Sequence, residues 1–139
     1  MARSRRARVQ DVHDLAAGLP GVTCLDGRVY QVRGKSFVFF RNPRPYAVDP
    51  ETGERLTDVI VFWVPSAEEK EAMVADPSTP YFTTPHFDGH LSVLLRGSRV
   101  GEITREELTE VVTEAWLSRA PKRMAQSYLD SVAGQRSDV

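Results

Sequence analysis

His86, Asp88 and His90 fall within five positions, and the apolar run that follows them ends in Arg96. Such side chains can chelate a metal, pair as general acid and base, or grip an anion. Histidines four apart share one face of a helix, but Pro85 precedes this pair and the turn former Asp88-Gly89 sits inside it. Phe87 also stands where a zinc-protease helix carries glutamate. The stretch therefore reads as a structured turn whose polar residues bond its own backbone. The alternative is a ligand pocket built from His86, Asp88, His90 and Arg96. No other residues complete a metal set, and no cofactor is expected. "GSRVG" at 97–101 does not match Gly-x-Ser-x-Gly, and neither a dinucleotide nor a Walker fingerprint occurs. The expectation is a protein without catalytic residues, not an enzyme.

A second set of residues could bind phosphate. Arg3, Arg5, Arg6 and Arg8 lie in the first eight residues, which contain no acid. Taking those four from 18 basic side chains leaves 14 against 19 acidic ones, a balance of −5 in a chain of net charge −1. A basic arm on a mildly acidic body can neutralise nucleic-acid phosphates. Lys35 at a hairpin tip, Arg96 after an apolar strand, and Lys122 and Arg123 at the start of the last helix join the arm as candidates. "PRPY" at 43–46 adds a basic, aromatic loop. The single cysteine, Cys24, reads as a small half-buried residue, because one thiol forms neither an internal disulfide nor a zinc site. His13 reads as a rim residue of the first helix.

The elements that must position these residues follow from periodicity. The chain has 139 residues, 41% hydrophobic and 27% charged, which suits one domain. Val9, Val12, Leu15, Ala16 and Leu19 recur at helical spacing, so residues 7–19 read as an amphipathic helix ended by Leu19-Pro20-Gly21. "RVYQV" and "KSFVFF" read as strands joined at Arg33-Gly34. "DPETG" is a tight turn, and "TDVIVFWV" is a central strand apolar on both alternations. Ser66 with Glu69, and Thr104 with Glu107, form capping boxes that open two helices. "HLSVLLRG" is a fourth strand, "SRVGEI" extends it or returns as a fifth, and "KRMAQSYLDSV" is a last helix.

The fold class is α+β, a mainly antiparallel sheet of four to five strands packed with helices, in the order α-β-β-β-α-β-(β)-α-α. The expected organisation is a flexible basic arm over 1–8, one domain over 9–132 and a flexible tail over 133–139. The longest fully apolar run, Val59 to Val64, is far too short to span a membrane, and "MARSRRARVQ" lacks the apolar stretch of a secretory signal. The reading is a cytoplasmic protein.

"LPGV", "GKSF", "ADP…YFTTPHFDGHLSVLLR" and "EAWLSRAPKR" come in an order and at spacings that resemble the MmcQ/YjbR family, over about residues 9 to 128. The most specific part is Thr84-Pro85-His86-Phe87 with Gly89, then a strand ending in Arg96, then Ala120-Pro121-Lys122. The resemblance implies a compact α+β fold like that of secretion chaperones, described as a double wing, and DNA binding without catalytic residues or cofactor. "CLDGRVY" and His90-Leu91-Ser92 depart from the family pattern. DNA is thus the first expected partner, and a protein docked on a sheet face or beside the last helix is the second.

Overall fold

A computed structural model of the chain describes residues 5–41, 48–49, 52–84 and 87–137, with side chains placed through Ala133. Arg3, His86 and the "PRPY" segment lie outside the described residues.

Helix α1 spans Val9–Ala17 and is followed by four strands: β1 (Val22–Leu25), β2 (Val29–Val32), β3 (Lys35–Arg41) and β4 (Val59–Trp63). Helix α2 (Ala67–Ala75) then leads to β5 (Ser92–Arg96), and α3 (Arg105–Arg119) and α4 (Lys122–Ser137) close the chain. The sheet order is β1-β2-β3-β4-β5, and every pairing is antiparallel. The expected α+β class with an antiparallel sheet packed by helices is therefore the observed one.

Local chemistry explains the elements. Ser66 Oγ accepts the Glu69 N–H at 3.2 Å and starts α2. Thr104 and Glu107 cap α3 reciprocally, at 3.1 and 3.0 Å. Arg33 (φ 51°) and Gly34 (φ 80°) both take positive φ, as a two-residue hairpin between Val32 and Lys35 requires. Val59, Ile60, Val61 and Phe62 of β4 are all buried, which fits a strand covered on both faces.

Several expectations are corrected. The fifth strand is β1, not the 98–103 segment. β1 is an edge strand with one partly buried residue and three exposed ones, so it shows no apolar alternation. Its turn was still legible: Arg28 donates to the Leu25 carbonyl across Asp26 (φ 52°) and Gly27 (φ 67°). Residues Gly97–Glu102 form 3-10 turns instead, because Asp58 ends the ladder by accepting both the Gly97 and Ser98 N–H groups. The arm is not free from Arg5 onward. Ala7 is buried, donates to the Ile103 carbonyl at 2.9 Å, and Arg5 accepts the Arg105 N–H at 2.8 Å. Residues 133–137 continue α4 rather than forming a tail. Cys24 is exposed, not half-buried.

The main core lies between one sheet face and helices α1 and α3. Val38, Ile60, Phe62, Val93 and Leu95 meet Val12, Ala16, Leu108, Val112, Ala115 and Trp116. The β2–β3 register skips Phe37, so this bulge residue and its neighbour Val38 both enter that core. The opposite face is sealed by a smaller cluster of Leu56, Val59, Val61, Phe82, Phe87 and Leu94. Trp116 is fully buried, and its indole N–H donates to the Pro20 carbonyl at 3.0 Å. Trp116→Ala is expected to lower the unfolding free energy by about 3–5 kcal/mol in urea denaturation.

Candidate functional site

The turn after Phe82 is held from α2. Lys70 is buried, and its ammonium donates to the carbonyls of Phe87, Asp88 (3.4 Å) and His90 (2.6 Å). Burial lowers the Lys70 pKa, and the Asp88 charge partly opposes that. His90 turns inward: Nδ1 lies 2.6 Å from Ser92 Oγ, and the ring packs on Trp63 with centroids 4.4 Å apart. Asp88 points to solvent. This is the backbone-fixing turn that the sequence suggested, but the residue fixing it is Lys70. Only the distant lysine on a polar helix marked it, and nothing in the local sequence did.

Arg96 sits at the other end of β5. Its Nε donates to Asp58 at 3.0 Å, and its Nη1 reaches Asp49 and Glu54 at 3.4 Å each. Hydrogen bonding to Asp58 leads in raising its pKa. Burial pushes the Asp58 carboxyl upward, but the Ser98 N–H and Arg96 outweigh it and the net shift is downward. Asp49 also closes the "DPETG" turn, donating its N–H to the Glu54 carbonyl and accepting the Gly53 N–H. Arg96 therefore anchors the 49–58 segment. His90 precedes Ser92 and Arg96 ends the strand, so about 20 Å of extended chain separates them. The structure does not bring Asp88, His90 and Arg96 together, and His86 lies outside the described residues.

The arginines of the arm are also engaged. Arg5 grips Asp11 with two hydrogen bonds of 2.7 and 2.6 Å, and the Arg8 N–H adds a third at 2.8 Å. Arg105 lies 3.5 Å from the same carboxylate. The Arg5 contact leads, and against the opposing effect of burial the Asp11 pKa falls to about 2. Arg6 bonds the Glu102 carbonyl at 3.3 Å, and the side chains of Arg6 and Arg8 are exposed.

Arg33 and Arg123 come together where the β2–β3 hairpin meets the start of α4, and Lys35 and Lys122 are close to them in sequence. Arg119 Nε donates to the Ser36 carbonyl at 3.0 Å, joining the end of α3 to the start of β3. The Arg119 guanidinium also stacks 3.8 Å from the Trp63 ring centroid. The bond between Trp116 and Pro20 brings the end of α1 to the same place. A groove of about 710 Å³ opens there, lined by Pro20, Arg33, Arg123, Met124, Ser127 and Ser131 among others. None of the described residues lining it is acidic. The N-terminus of α4 begins at this groove, so its unpaired N–H groups add positive potential. Arg33 was missed as a site residue because a hairpin residue of positive φ reads as turn chemistry.

Among the described residues no group of three or more His, Cys, Asp or Glu side chains is placed to hold a metal ion. No described helix is long and apolar enough to cross a membrane.

A family comparison covers most of the chain. The YjbR family model matches residues 17–118. The chain belongs to the YjbR family. It is 44% identical over 72 residues to "Uncharacterized protein Rv2570" of Mycobacterium tuberculosis and to "Uncharacterized protein Mb2600" of Mycobacterium bovis. The matched stretch is 52% of this chain and 54% of each relative, so the chain spans about half the length of the curated relatives it matches. No solved structure matches.

Two variants check the anchors. Lys70→Met removes the ammonium from the carbonyls of Phe87, Asp88 and His90, of which Phe87 and His90 keep the backbone N–H groups of His90 and Ser92, and is expected to cost about 1–3 kcal/mol. Hydrogen exchange should then accelerate at residues 87–92 before it does in α3. The depressed Asp11 pKa gives stability that is fully present above the unfolded value near 3.8 and lost as pH falls toward 2. Because the Arg5 side chain is 45% exposed, screening reduces the effect to roughly 1–2 kcal/mol. Urea titrations between pH 5 and 2 should show this loss in the parent protein and not in Asp11→Asn.

Proposed function

We propose that this YjbR-family chain is a non-enzymatic binding protein that grips the phosphate backbone of DNA with the basic end formed by the β2–β3 hairpin and the start of α4. One observation carries the reading: among the described residues, the groove lined by Arg33 and Arg123 contains no carboxylate. Lys35 and Lys122 flank it in sequence, and Ser127 and Ser131 supply hydroxyl donors. Phosphate contacts need this combination of cations, hydroxyls and a helix N-terminus, and they carry little sequence information. Binding should accordingly be weak, sequence-tolerant and sensitive to salt. Arg96 contributes indirectly at most, since its guanidinium faces three carboxylates. The alternative of a small-molecule or enzymatic site lacks support of this kind, because its described candidates, Asp88 and His90 on one side and Arg96 on the other, lie at opposite ends of β5.

Fluorescence anisotropy of a labelled generic duplex across a salt series tests the proposal. Four cations at the site predict a slope of log K against log salt of about −3 to −4. Charge reversal in Arg33→Glu/Arg123→Glu should abolish binding while leaving the melting temperature unchanged. Absence of binding at low salt, or binding untouched by this double variant, would overturn the reading. These exposed sites are preferred to deletion of residues 1–8, which would also remove Ala7 from the core and Arg5 from Asp11.

A further inference from the structure

Helix α3 has two working faces. Leu108, Val112, Ala115 and Trp116 face the sheet. Thr109, Thr113 and Leu117, with Glu110 and Glu114 beside them, run in steps of four along another face. Helix α4 packs on the main core through Met124 and Tyr128, near its start. Its next turns carry Leu129 and Val132 along α3 and leave a groove of about 760 Å³ between the two helices. Leu129 is 46% exposed.

The groove is apolar on the α4 side and acidic on the α3 side. Among the described residues, no lysine or arginine lines it. Among the described residues, neither Glu110 nor Glu114 has a cationic partner within ion-pair distance. Burial raises the Glu114 pKa, and the nearby charges of Glu69 and Glu110 raise it further. Tyr81 is shifted upward by burial and then by Glu107 and Glu110. Uncompensated like charges beside exposed apolar surface cost free energy, and a cationic occupant with an apolar stripe removes both costs.

We infer that the α3–α4 groove is a docking site for a basic amphipathic helix of a protein partner. The apolar stripe of that helix would seat on Leu117, Tyr128, Leu129 and Val132. Its lysines or arginines would meet Glu110 and Glu114. The shape is that of helix-in-groove recognition, with anchors about one turn apart on each side. A nucleic acid is the wrong occupant, because its phosphates would face carboxylates. The inference does not depend on the DNA reading, which concerns a different groove, lined by Pro20, Arg33 and Arg123 and sharing Tyr128 with this one.

The test uses the full chain and a fluorescein-labelled peptide of about 14 residues with Leu and Lys at helical spacing. A second peptide replaces every Lys with Glu. The expected result is saturable binding of the Lys peptide and none of the Glu peptide. Glu110→Gln/Glu114→Gln should weaken binding about fivefold to tenfold, and Leu129→Asp should abolish it. Both variants change exposed positions, and unaltered circular-dichroism melting will confirm that they fold. Equal binding of the two peptides, no binding of either, or binding unaffected by the variants would overturn the proposal. So would sedimentation showing a dimer that Leu129→Asp dissociates, since a second copy of the chain would then own the groove.

Discussion

The structure depends on covering the second face of its sheet. Helices α1 and α3 bury one face in the ordinary way, with an amphipathic stripe on each helix. Strands β4 and β5 are apolar on the other face as well, through Val59, Val61 and Leu94. The cover there includes irregular chain carrying Leu56, Phe82 and Phe87. Phe82 pairs with Leu94 in both directions at 2.9 Å, so this segment also blocks the edge of β5.

Irregular chain packed against a core must satisfy its own carbonyls and N–H groups. That demand accounts for the two most conspicuous charged residues. Lys70 reaches across from α2 to collect the carbonyls of 87–90. Arg96 reaches from the end of β5 to collect the carboxylates of the 49–58 segment. Each is a cation spent on holding the cover in place. Chemically conspicuous residues clustered around a turn can therefore mark the difficulty of sealing a sheet face rather than a reaction. Trp63, whose buried indole N–H has no hydrogen-bond partner, shows that the seal is not perfect. Its ring is instead clamped between Arg119 and His90.

Much of the architecture was legible in the sequence because it rests on local rules. Ser66 and Thr104 announced their helices, Arg33-Gly34 announced its hairpin, and the continuous apolar run of β4 announced burial on two faces. The misreadings have physical reasons. β1 has no buried stripe to report, since it is an edge strand with one face in water. The 98–103 segment has strand-like residues, but Asp58, about 40 positions earlier, captures the backbone groups that would have extended the ladder. The basic arm looked solvated because its partner, Asp11, lies inside α1 and reads as an ordinary first-turn acid. For the candidate site the sequence supplied Arg123, with Lys35 and Lys122 nearby in the chain, but not the convergence of Arg33 with Arg123 in one groove. That convergence depends on long-range bonds from Trp116 to Pro20 and from Arg119 to Ser36, each spanning more than 80 positions.

A net charge of −1 conceals two grooves of opposite sign that border α4, one basic through Arg33 and Arg123 and one acidic through Glu110 and Glu114 of α3. The basic groove begins at the N-terminus of α4, whereas the acidic groove lies beside Leu129 and Val132. The two grooves share Tyr128, and a helix with its side chains is about 10–12 Å across. The Debye length at physiological salt is about 8 Å, so charges on the two sides of α4 are partly screened from each other there. In dilute salt it approaches about 30 Å, and the acidic wall would then oppose an anion at the basic end. For the proposed phosphate contacts, screening thus has two effects: it weakens the direct attraction and removes the repulsion from Glu110 and Glu114. The overall charge balance, close to neutral, gives no indication of either groove.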